Sequence, residues 1–511
     1  MTSAAYDTVI VGAGSAGCVL AARLSENPDR RVLLVEAGPV FTGLDAVPEA
    51  LRDDRTFPQE HLWTYEGFHA TGGESVPVVR GRVLGGSGSV NGVIYQRGLP
   101  EDYDGWGSPL WTGAALRPFF ARIEDERDGV THGGALPITR IGREGWVSSH
   151  RAFHDALRDL GVPENPDLLH AAHQGVGPYA RNSADGTRFS AAVAYLLPAL
   201  VRPNLDVWGD AHVLCVTVDG SRATGIELVR DGATVRVTAD EIVLSAGAIE
   251  TPKLLALSGI GDAADLRRLG VETVVDLPGV GRRLHDHPSV VTTVRLKPEV
   301  RDWDLRCLVG LVATSADAAA RGLRSDLQTL VMSGPYVGNN GGALPHAPDP
   351  ETVDVVLNPI LYAPDSVGRL ELRSTDPDER VRIHYGYLES ARDRARLREA
   401  VRQTAEVFAH EAFAALIASD AGAPDAATLG EDDALDGWMA RNLQTTLHGC
   451  GTCPIGPDGD PDAVVDDHGR VHGIERLRIA DLSIAPRAPS APTNATAMVI
   501  GERIAALIDG T

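Results

Sequence analysis

The sequence predicts an α/β protein that is built from more than one domain. Its 511 residues exceed the roughly 250–300 at which a single hydrophobic core stops growing. Near the N-terminus an apolar β-branched run, a glycine-rich turn, a helical pattern and a second apolar run follow one another, an order typical of a parallel sheet. Between residues 203 and 244, strand-like runs separated by Asp-Gly turns indicate antiparallel hairpins. We therefore expect a parallel α/β unit that is joined to antiparallel sheet structure.

The first α/β unit carries a glycine fingerprint for binding a dinucleotide. Gly12, Gly14 and Gly17 lie between a predicted strand and a predicted helix. In this pattern the first glycine permits a tight turn, the second lets a pyrophosphate approach the backbone, and the third lets the helix pack on the sheet. Glu36 ends the next strand, where a carboxylate accepts hydrogen bonds from the adenosine ribose. The alternative is a turn without a ligand. The pattern does not separate FAD from NAD, but its place at the start of so long a chain favours FAD.

The other elements follow from periodicity and turn signals. Strands are predicted at 7–11, 31–36, 213–218, 224–230, 234–239, 241–244, 290–296, 354–361, 369–372 and 477–480, and helices at 15–25, 189–200, 393–410 and 498–508. The segment 334–350 is rich in Gly, Asn and Pro. It predicts a loop, either a lid over a pocket or a plain surface loop.

The composition excludes several classes of protein. Apolar residues make up 43% and charged residues 23% of the chain, which is ordinary for a globular protein. A net charge of −23 disfavours binding to nucleic acid or to an anionic membrane. No apolar run is long enough to span a membrane. The first strand begins within a few residues of Met1, so we expect no signal peptide and a cytoplasmic protein.

The five cysteines indicate a reducing compartment, because their number is odd and they are spread thinly along the chain. Cys450 and Cys453 have the spacing of a zinc or redox pair. A zinc site needs about two further ligands, and the sequence has no second pair of this kind. We therefore interpret the two thiols as packing residues and expect no metal site, with a metal or redox site as the alternative.

A second glycine-rich loop lies at residues 80–92. It includes Gly85, Gly86, Asn91 and Gly92, and such a loop lets backbone N–H groups come close to a flat or charged ligand. Apolar residues on both sides anchor it, which argues against the alternative of a flexible surface loop.

With this loop the chain resembles the glucose–methanol–choline (GMC) family of FAD-dependent oxidoreductases. The loop is similar to the first signature of the family, and 245–261 is similar to the second. Further motifs of the family are matched, in family order, at 277–288, 448–456 and 480–498. The resemblance implies a discontinuous Rossmann-like FAD-binding domain formed by 1–150, 190–290 and 440–511. It also implies a substrate domain with a mixed or antiparallel sheet, formed by 151–189 and 291–439.

The family oxidises an alcohol to a carbonyl by hydride transfer to the flavin N5. That reaction needs a base near the alcohol oxygen, and histidine is the usual choice. His448 opens the motif that carries the active-site histidine of the family, so the resemblance assigns the base to it. The resemblance also assigns Asn494 as the polar partner that orients the hydroxyl and stabilises negative charge. The alternative for Asn494 is a helix cap, and the rival histidines are His285 and His287.

The resemblance implies a larger set of residues around the cofactor. The backbone of Val213 is expected to meet the adenine, and Asp481 to face the ribityl chain or the pyrophosphate. Val90 stands where some members carry a histidine that is bonded to the flavin, so we expect FAD to be bound non-covalently. The expected FAD-binding residues are Gly12, Gly14, Ser15, Ala16, Gly17, Glu36, Ala37, Trp63, Arg82, Gly85, Gly86, Asn91, Gly92, Val93, Ile94, Val213, Ala480, Asp481, Asn494, Ala495 and Thr496.

Several points stay open at this stage. The substrate is a small alcohol, which could be a hydroxymethyl-aryl compound, a choline-like amino alcohol or a sugar. The electron acceptor is oxygen or another acceptor, with a dehydrogenase or slow oxidase favoured because peroxide is harmful in the cytoplasm. A flavin-binding lyase or a non-redox protein on the same scaffold is the alternative, since fold does not fix function. The sequence gives no prediction of the oligomeric state.

Overall fold

The computed structural model describes residues 5–69, 73–127, 129, 131–169, 174–334 and 352–510. Within these residues the chain forms two large β-sheets and a four-stranded sheet, with α-helices packed around them. The predicted α/β class is confirmed.

The first large sheet, here called the nucleotide sheet, has seven strands. Its order across the sheet is Leu205–Trp208, Val32–Val35, Ala5–Val11, Ala233–Leu244, Arg222–Arg230 and Ala211–Asp219, and Leu477–Ile479 also pairs with Ala233–Leu244. The strands from Leu205–Trp208 to Ala233–Leu244 pair in parallel, whereas the last two pair as antiparallel hairpins. All four residues of Val32–Val35 are buried, as expected for a parallel sheet that is covered on both faces.

The helix Ser15–Leu24 joins the first two strands of the chain and packs very closely on its neighbours. A Cβ added at Gly17 would lie 2.0 Å from the carbonyl oxygen of Gly12. A Cβ added at Gly501 would lie 2.7 Å from the carbonyl oxygen of Ala16. Glycine at these two positions therefore lets the helix approach both the strand before it and the last helix, Asn494–Asp509.

One prediction in the hairpin region is wrong. The segments 234–239 and 241–244 form one continuous strand, Ala233–Leu244, because both halves have partners. The first half pairs with Arg222–Arg230, and the second half pairs with Leu477–Ile479. The Asp-Gly turns are correctly predicted: Asp231 and both turn glycines have positive φ, which suits tight hairpins.

The second large sheet, here called the cavity sheet, has eight strands that pair in antiparallel fashion. Its order is Ile417–Asp420, Thr292–Leu296, Asp354–Leu361, Leu327–Gly334, Val309–Ala313 and Gly175–Pro178, and Pro288–Val290 and Leu443–Thr445 join it beside Asp354–Leu361. The predicted strand at 290–296 is divided in two at Val291, whose N–H donates to the carbonyl of Asn442.

The smaller sheets complete the strands. The four-stranded sheet has the order Arg369–Glu371, Arg382–His384, Leu62–Phe68 and Ser75–Gly81, and the short pairs are Ile260–Gly261 with Val275–Asp276, Glu124–Glu126 with Leu136–Ile138, and Ser183–Ala184 with Thr187–Arg188.

The described helices are distributed over the whole chain. The α-helices are Ser15–Leu24, Glu49–Arg52, Pro100–Asp104, Gly113–Ile123, Ser148–Asp159, Leu197–Ala199, Gly247–Leu257, Ala263–Leu269, Ala316–Ala320, Ala391–Ala409, Glu411–Ala414, Ala426–Gly430, Asp432–Asn442 and Asn494–Asp509, and the 3₁₀ turns are Leu44–Ala46, Gly86–Ser89, Pro109–Trp111, Arg143–Gly145 and Leu482–Ile484.

Two helix predictions need correction. The segment 189–200 contains a π-helix, Ala192–Leu196, before the short α-helix Leu197–Ala199. Pro198 has no amide hydrogen to donate to the preceding turn, which suits a widened turn at this point. The last helix begins at Asn494 and not near residue 498, because its first turn lacks the apolar periodicity on which the prediction depended.

No helix among the described residues is long and apolar enough to cross a membrane. The loop expected at 334–350 lies outside the described residues except for Gly334, which ends a strand. The proposed division into two discontinuous domains stays a prediction.

Candidate active site

A cavity of about 1080 Å³ lies between the nucleotide sheet and the cavity sheet. Val11 and Val35, at the C-terminal ends of two parallel strands, line one end of it. Leu330 and Ile360 of the cavity sheet line it as well. The carboxyl edge of a parallel sheet is the usual place for a ligand in such folds.

The two glycine-rich loops meet at one end of this cavity. Gly12 has φ of 100° and Gly85 has φ of 88°, a region that favours glycine. A Cβ added at Gly86 would lie 2.8 Å from the Cα of Gly14. Gly14 caps the first helix, so the N–H groups of its first turn are exposed toward the cavity end, and this arrangement suits a pyrophosphate.

Glu36 is positioned for the adenosine ribose. One carboxylate oxygen accepts from the N–H of Ala13 at 3.0 Å, and the other accepts from the N–H of Gly38 at 2.9 Å. Burial raises the pKa of Glu36 to about 7, against the opposing effect of these hydrogen bonds. Each oxygen keeps a lone pair for a ribose hydroxyl.

Trp63 lines the cavity, and two arginine side chains stack on its ring. The guanidinium groups of Arg82 and Arg380 lie 4.4 and 4.1 Å from the ring centre of Trp63. Val213 lines the cavity on the same side of the nucleotide sheet. The flat, apolar surface that results is suitable for an adenine ring.

Fifteen of the residues predicted to contact FAD line the cavity: Gly12, Gly14, Ser15, Ala16, Glu36, Ala37, Trp63, Gly86, Asn91, Gly92, Val93, Ile94, Val213, Asp481 and Asn494. With its glycine cradle, helix N-terminus and buried carboxylate, this set fits FAD.

The other predicted FAD residues lie behind the cavity wall. Gly17 packs against Gly12, and Arg82 stacks on Trp63 while its Nε donates to the carbonyl of Ala37. The N–H of Gly85 donates to the carbonyl of Ala13. Ala480, Ala495 and Thr496 are buried, and Thr496 is hydrogen-bonded to Tyr103. These residues therefore support the loops that line the cavity.

Asp481 uses its carboxylate mainly to hold protein. One oxygen accepts from Thr251 and from the N–H of Gly247 at 2.6 and 2.9 Å, and the other accepts from the N–H of Ser483 at 2.8 Å. Burial raises the pKa of Asp481. Its role at the cavity wall is therefore to fix the turn at Gly247, where φ is 84°.

His448 lies on the wall of the cavity, three residues beyond the strand Leu443–Thr445. Its backbone N–H donates to Asp286 Oδ1 at 2.7 Å. Its Nδ1 lies 2.9 Å from Thr446 Oγ1 and 2.9 Å from the Nδ1 of His287. Burial lowers the pKa of His448 to about 3, and the positive charge of Arg80 contributes. The ring is therefore neutral, and one of its two nitrogens carries no hydrogen.

The two rival histidines have different surroundings. His285 does not line the cavity; its backbone pairs with that of Cys450, and burial lowers its pKa to about 4. His287 is fully buried and touches His448 directly, and the ring of Tyr362 packs against the His287 ring with the ring centres 4.3 Å apart. Burial lowers the pKa of His287 well below its usual value.

Asn494 occupies the phosphate end of the cavity. Its Oδ1 accepts from Ser15 Oγ at 2.8 Å, and its Nδ2 is buried without a partner among the described residues. The alternative of a helix cap is wrong, because Asn494 is the first helical residue and Thr493 is the cap. His448 and Asn494 line the same cavity, but the described structure shows no hydrogen bond between them.

The cavity sheet and the residues next to its strands supply a wall that the sequence did not reveal. The residues of this wall are Leu305, Cys307, Leu330, Met332, Asn358, Ile360 and Tyr362. Leu330 and Asn358 are direct cross-strand partners. Asn358 is buried, and its Oδ1 has no partner among the described residues. An asparagine within an apolar strand was the one sequence signal that could have marked this wall.

Cys450 and Cys453 are buried and free, and burial raises both thiol pKa values. The described part of the chain contains no group of three or more His, Cys, Asp or Glu side chains that could hold a metal ion.

Comparisons with known proteins give consistent matches over the chain. A family model described as GMC oxidoreductase matches residues 6–289, and its C-terminal counterpart matches residues 364–501. The chain is 34% identical over 540 residues to a 5-(hydroxymethyl)furfural oxidase of Methylovorus sp. (strain MP688), with 99% of each chain covered. It is 34% identical over 552 residues to an oxygen-dependent choline dehydrogenase of Staphylococcus aureus, covering 99% of this chain and 93% of that one.

A solved structure resembles the fold closely. The crystal structure of pyridoxine 4-oxidase from Mesorbium loti superposes with a TM-score of 0.85 at 30% sequence identity, covering 99% of each chain.

Proposed function

Because this chain belongs to the GMC oxidoreductase family, it is an FAD-dependent oxidoreductase that acts on alcohols, and we propose that it oxidises the hydroxymethyl group of an uncharged aryl alcohol with His448 as the base. The observation that carries this proposal is a neutral histidine in a cavity that is also lined by the uncharged and mostly apolar wall beside the cavity sheet. The alternative of a lyase or a non-redox protein finds no support among the relatives described above.

The reaction divides the alcohol into a proton, a hydride and a carbonyl product. His448 accepts the hydroxyl proton, which leaves the electron pair on oxygen free to form the carbonyl. Bound FAD supplies the acceptor for the hydride that leaves the carbon with its electron pair. Because burial and Arg80 keep the pKa of His448 low, at about 3, the base is in its neutral form across the physiological range.

The substrate class follows from the wall that the cavity sheet supplies. None of the described cavity-sheet residues on this wall is charged, and Asn358 and Tyr362 are its main polar side chains. A quaternary ammonium such as choline would require a carboxylate or a cage of aromatic rings, and a sugar would require several polar partners. A flat, neutral ring matches the wall better. The names of two relatives specify 5-(hydroxymethyl)furfural and pyridoxine, which are hydroxymethyl heteroaromatic compounds.

The geometry supports a cofactor role for Asn494 more than a role beside the alcohol. Its amide accepts from Ser15 in the phosphate-binding turn, and its unpartnered Nδ2 is a donor for an anionic or hydroxylated group there. The sequence-based assignment of Asn494 as the alcohol partner stays a prediction, and the variant Asn494→Ala separates the two roles.

Two further features complete the proposal. FAD is bound non-covalently, because Val90 offers no nucleophile at the position where some members carry a linking histidine. Acid precipitation should then release the yellow chromophore into the supernatant.

The five free thiols support a reducing, cytoplasmic setting. The reduced flavin passes its electrons to oxygen or to another acceptor.

An anaerobic screen of the holoenzyme tests the proposed reaction. We expect 4-methoxybenzyl alcohol and 5-(hydroxymethyl)furfural to bleach the flavin absorbance, and choline and glucose to leave it unchanged. Bleaching by choline or glucose alone would overturn the proposed substrate class.

The role of His448 is tested by the variant His448→Gln. We expect the rate constant of flavin reduction to fall by about 10²–10⁴-fold, the usual contribution of a positioned base, at unchanged FAD content. His472→Gln is the matched control, because within the described residues the His472 ring is hydrogen-bonded to the carbonyl of Gly456 and lies outside the cavity wall. Near-normal reduction in His448→Gln would exclude His448 as the base.

A further inference from the structure

The Nδ1 atom of His448 has two partners, and their chemistry fixes where its hydrogen lies. Thr446 Oγ1 and His287 Nδ1 both lie 2.9 Å from it. A neutral imidazole carries one hydrogen, on either Nδ1 or Nε2. Only the nitrogen without the hydrogen can accept a proton from an alcohol. The position of this hydrogen therefore decides whether His448 can serve as a base toward the cavity.

The hydroxyl of Thr446 can only accept from His448. It has a single hydrogen, and Thr446 Oγ1 donates it to the carbonyl oxygen of His287 at 2.9 Å. A carbonyl oxygen has no hydrogen to give, so the direction of that bond is fixed. Thr446 Oγ1 therefore presents only lone pairs to His448, which places a hydrogen on the Nδ1 of His448.

The ring of His287 is consistent with the same arrangement. Its buried Nε2 makes no close hydrogen bond with the described residues, but the backbone carbonyl of Pro489 is an available acceptor. A hydrogen on Nε2 of His287 leaves a lone pair on its Nδ1, which can accept from the Nδ1–H of His448. Tyr362 packs against the His287 ring with the ring centres 4.3 Å apart, which helps to hold its orientation.

We propose that Thr446 and His287 are positioning residues that hold His448 in the Nδ1–H tautomer, so that the lone pair of its Nε2 is available to the alcohol. This inference rests on the proposed function of His448 as the base. From the sequence, His287 is a rival to His448 for the role of base. Here it instead positions His448. We assign His287 no role as a proton relay, because its second nitrogen is buried and its acceptor is the backbone of Pro489, which cannot be protonated in this way.

Asp286 fixes the backbone on which this arrangement depends. Its Oδ1 accepts from the N–H of His448 at 2.7 Å, and its Oδ2 accepts from Tyr387 at 2.5 Å and from Thr445. The dipeptide of Asp286 and His287 therefore holds both the backbone and the ring of His448.

The variant Thr446→Val tests the proposal, because it keeps the shape of the side chain and removes the hydroxyl. We expect the rate constant of flavin reduction to fall by roughly 10–100-fold, less than the roughly 10⁴-fold that a fully wrong tautomer costs in a catalytic histidine, because His287 remains. FAD content and KM for the alcohol should be unchanged. Thr446→Ser restores the hydroxyl and should rescue most of the rate.

Thr404→Val is the matched control, since Thr404 is buried and bonds only to the carbonyl of Val401 in a distant helix. His287→Leu removes the second acceptor, and His287→Asn keeps an acceptor near the position of Nδ1. We expect slow reduction in the first and a partial rescue in the second. If His287→Leu fails to fold, Thr446→Val still decides.

A spectroscopic measurement tests the tautomer without turnover. In the holoenzyme labelled with ¹⁵N-histidine, the signals of His448 are those absent from His448→Gln. We expect a protonated Nδ1 and an unprotonated Nε2; the reverse pattern would overturn the proposal. If His448→Gln itself reduces flavin normally, the proposed function fails. If that variant is slow but Thr446→Val and both His287 variants behave as wild type, only the present inference fails.

Discussion

Leu447, the residue before His448, has a backbone φ of 62°, a conformation that costs a non-glycine residue about 1–2 kcal/mol. Two bonds hold it there. Its N–H donates to Thr445 Oγ1 at 2.9 Å, and the next N–H, that of His448, donates to Asp286. Backbone strain that the surroundings impose is common at functional sites. Here the strained turn directs the ring of His448 to the cavity wall.

Glu36 makes the binding of FAD depend on pH. Burial raises the pKa of this carboxyl to about 7 in the protein without cofactor, and the ribose hydroxyls are bound best by the ionised form. Below pH 7 binding must release a proton, so the Kd of FAD should rise as the pH falls, by up to about tenfold per unit. Titration of the apoprotein by flavin fluorescence at several pH values measures this.

Glu36→Gln is the control for that titration, because its amide does not ionise. Its Kd for FAD should be higher at pH 8 and should lose the pH-dependent component. Equal slopes in the two proteins would show that Glu36 does not carry the effect.

Asn494→Ala separates the two roles considered for this residue. If its amide serves the cofactor, FAD should bind about 10–100-fold more weakly, as for a lost hydrogen bond to a charged group. Flavin reduction at saturating FAD should then change by less than tenfold. Ser15→Ala removes the partner hydroxyl and should weaken FAD in the same direction. A loss of 10²–10³-fold in reduction rate at full FAD content would instead support the alcohol-partner role.

At the scale of elements, local patterns were predictable and long-range pairing was not. The strand before Gly12 and the helix after Gly14 follow from periodicity and turn chemistry, and both are confirmed. The wall formed by Leu330 and Asn358 depends on the register between two strands, which no local pattern specifies. In the same way, the motif singles out His287 as a candidate residue. Its contact with His448, 161 positions away, could not be predicted because it depends on the tertiary structure.

The junction between the first strand and the first helix should tolerate no side chain at Gly17. A Cβ there would lie 2.0 Å from the backbone oxygen of Gly12, so Gly17→Ala must push the helix away from the strand and from the cavity. We expect a loss of roughly 3 kcal/mol in stability, at the upper end for overpacking, together with loss of FAD. Thermal unfolding and flavin absorbance measure the two effects.

Gly43→Ala is the matched glycine control. Nothing lies within 4 Å of a Cβ added at Gly43, and its φ of −173° suits any residue. This variant should keep its FAD and its melting temperature within the roughly 0.5 kcal/mol typical of surface changes. Equal effects in the two variants would contradict close packing at Gly17 as the cause.

At the scale of the whole molecule, the cavity connects parts of the chain that are distant in sequence. Its walls include residues from Val11 to Ala497, drawn from the nucleotide sheet, the cavity sheet and the last helix. The two large sheets contribute to different hydrophobic clusters, since Val35 and Ile479 of the nucleotide sheet lie in one, whereas Val331 and Leu357 of the cavity sheet lie in another. A ligand that fills the cavity therefore contacts both large sheets at once.

Removal of FAD should consequently lower the stability of the whole molecule and not of one part alone. A ligand that binds only the folded state stabilises it by RT ln(1 + [L]/Kd), which is about 2.7 kcal/mol when free FAD is at 100 times its Kd. The melting temperature of the apoprotein should therefore rise progressively as FAD is added, and one cooperative transition should shift as a unit. Differential scanning calorimetry of the apoprotein over a range of FAD concentrations measures this, with ADP as a comparison ligand that fills only the nucleotide end. Because ADP lacks the part of FAD that reaches the cavity sheet, it should have a higher Kd, but at the same multiple of its own Kd it should shift the same single transition by an equal amount. If calorimetry shows two transitions, and FAD shifts only the one that ADP also shifts, the result would contradict a cofactor that connects the two sheets.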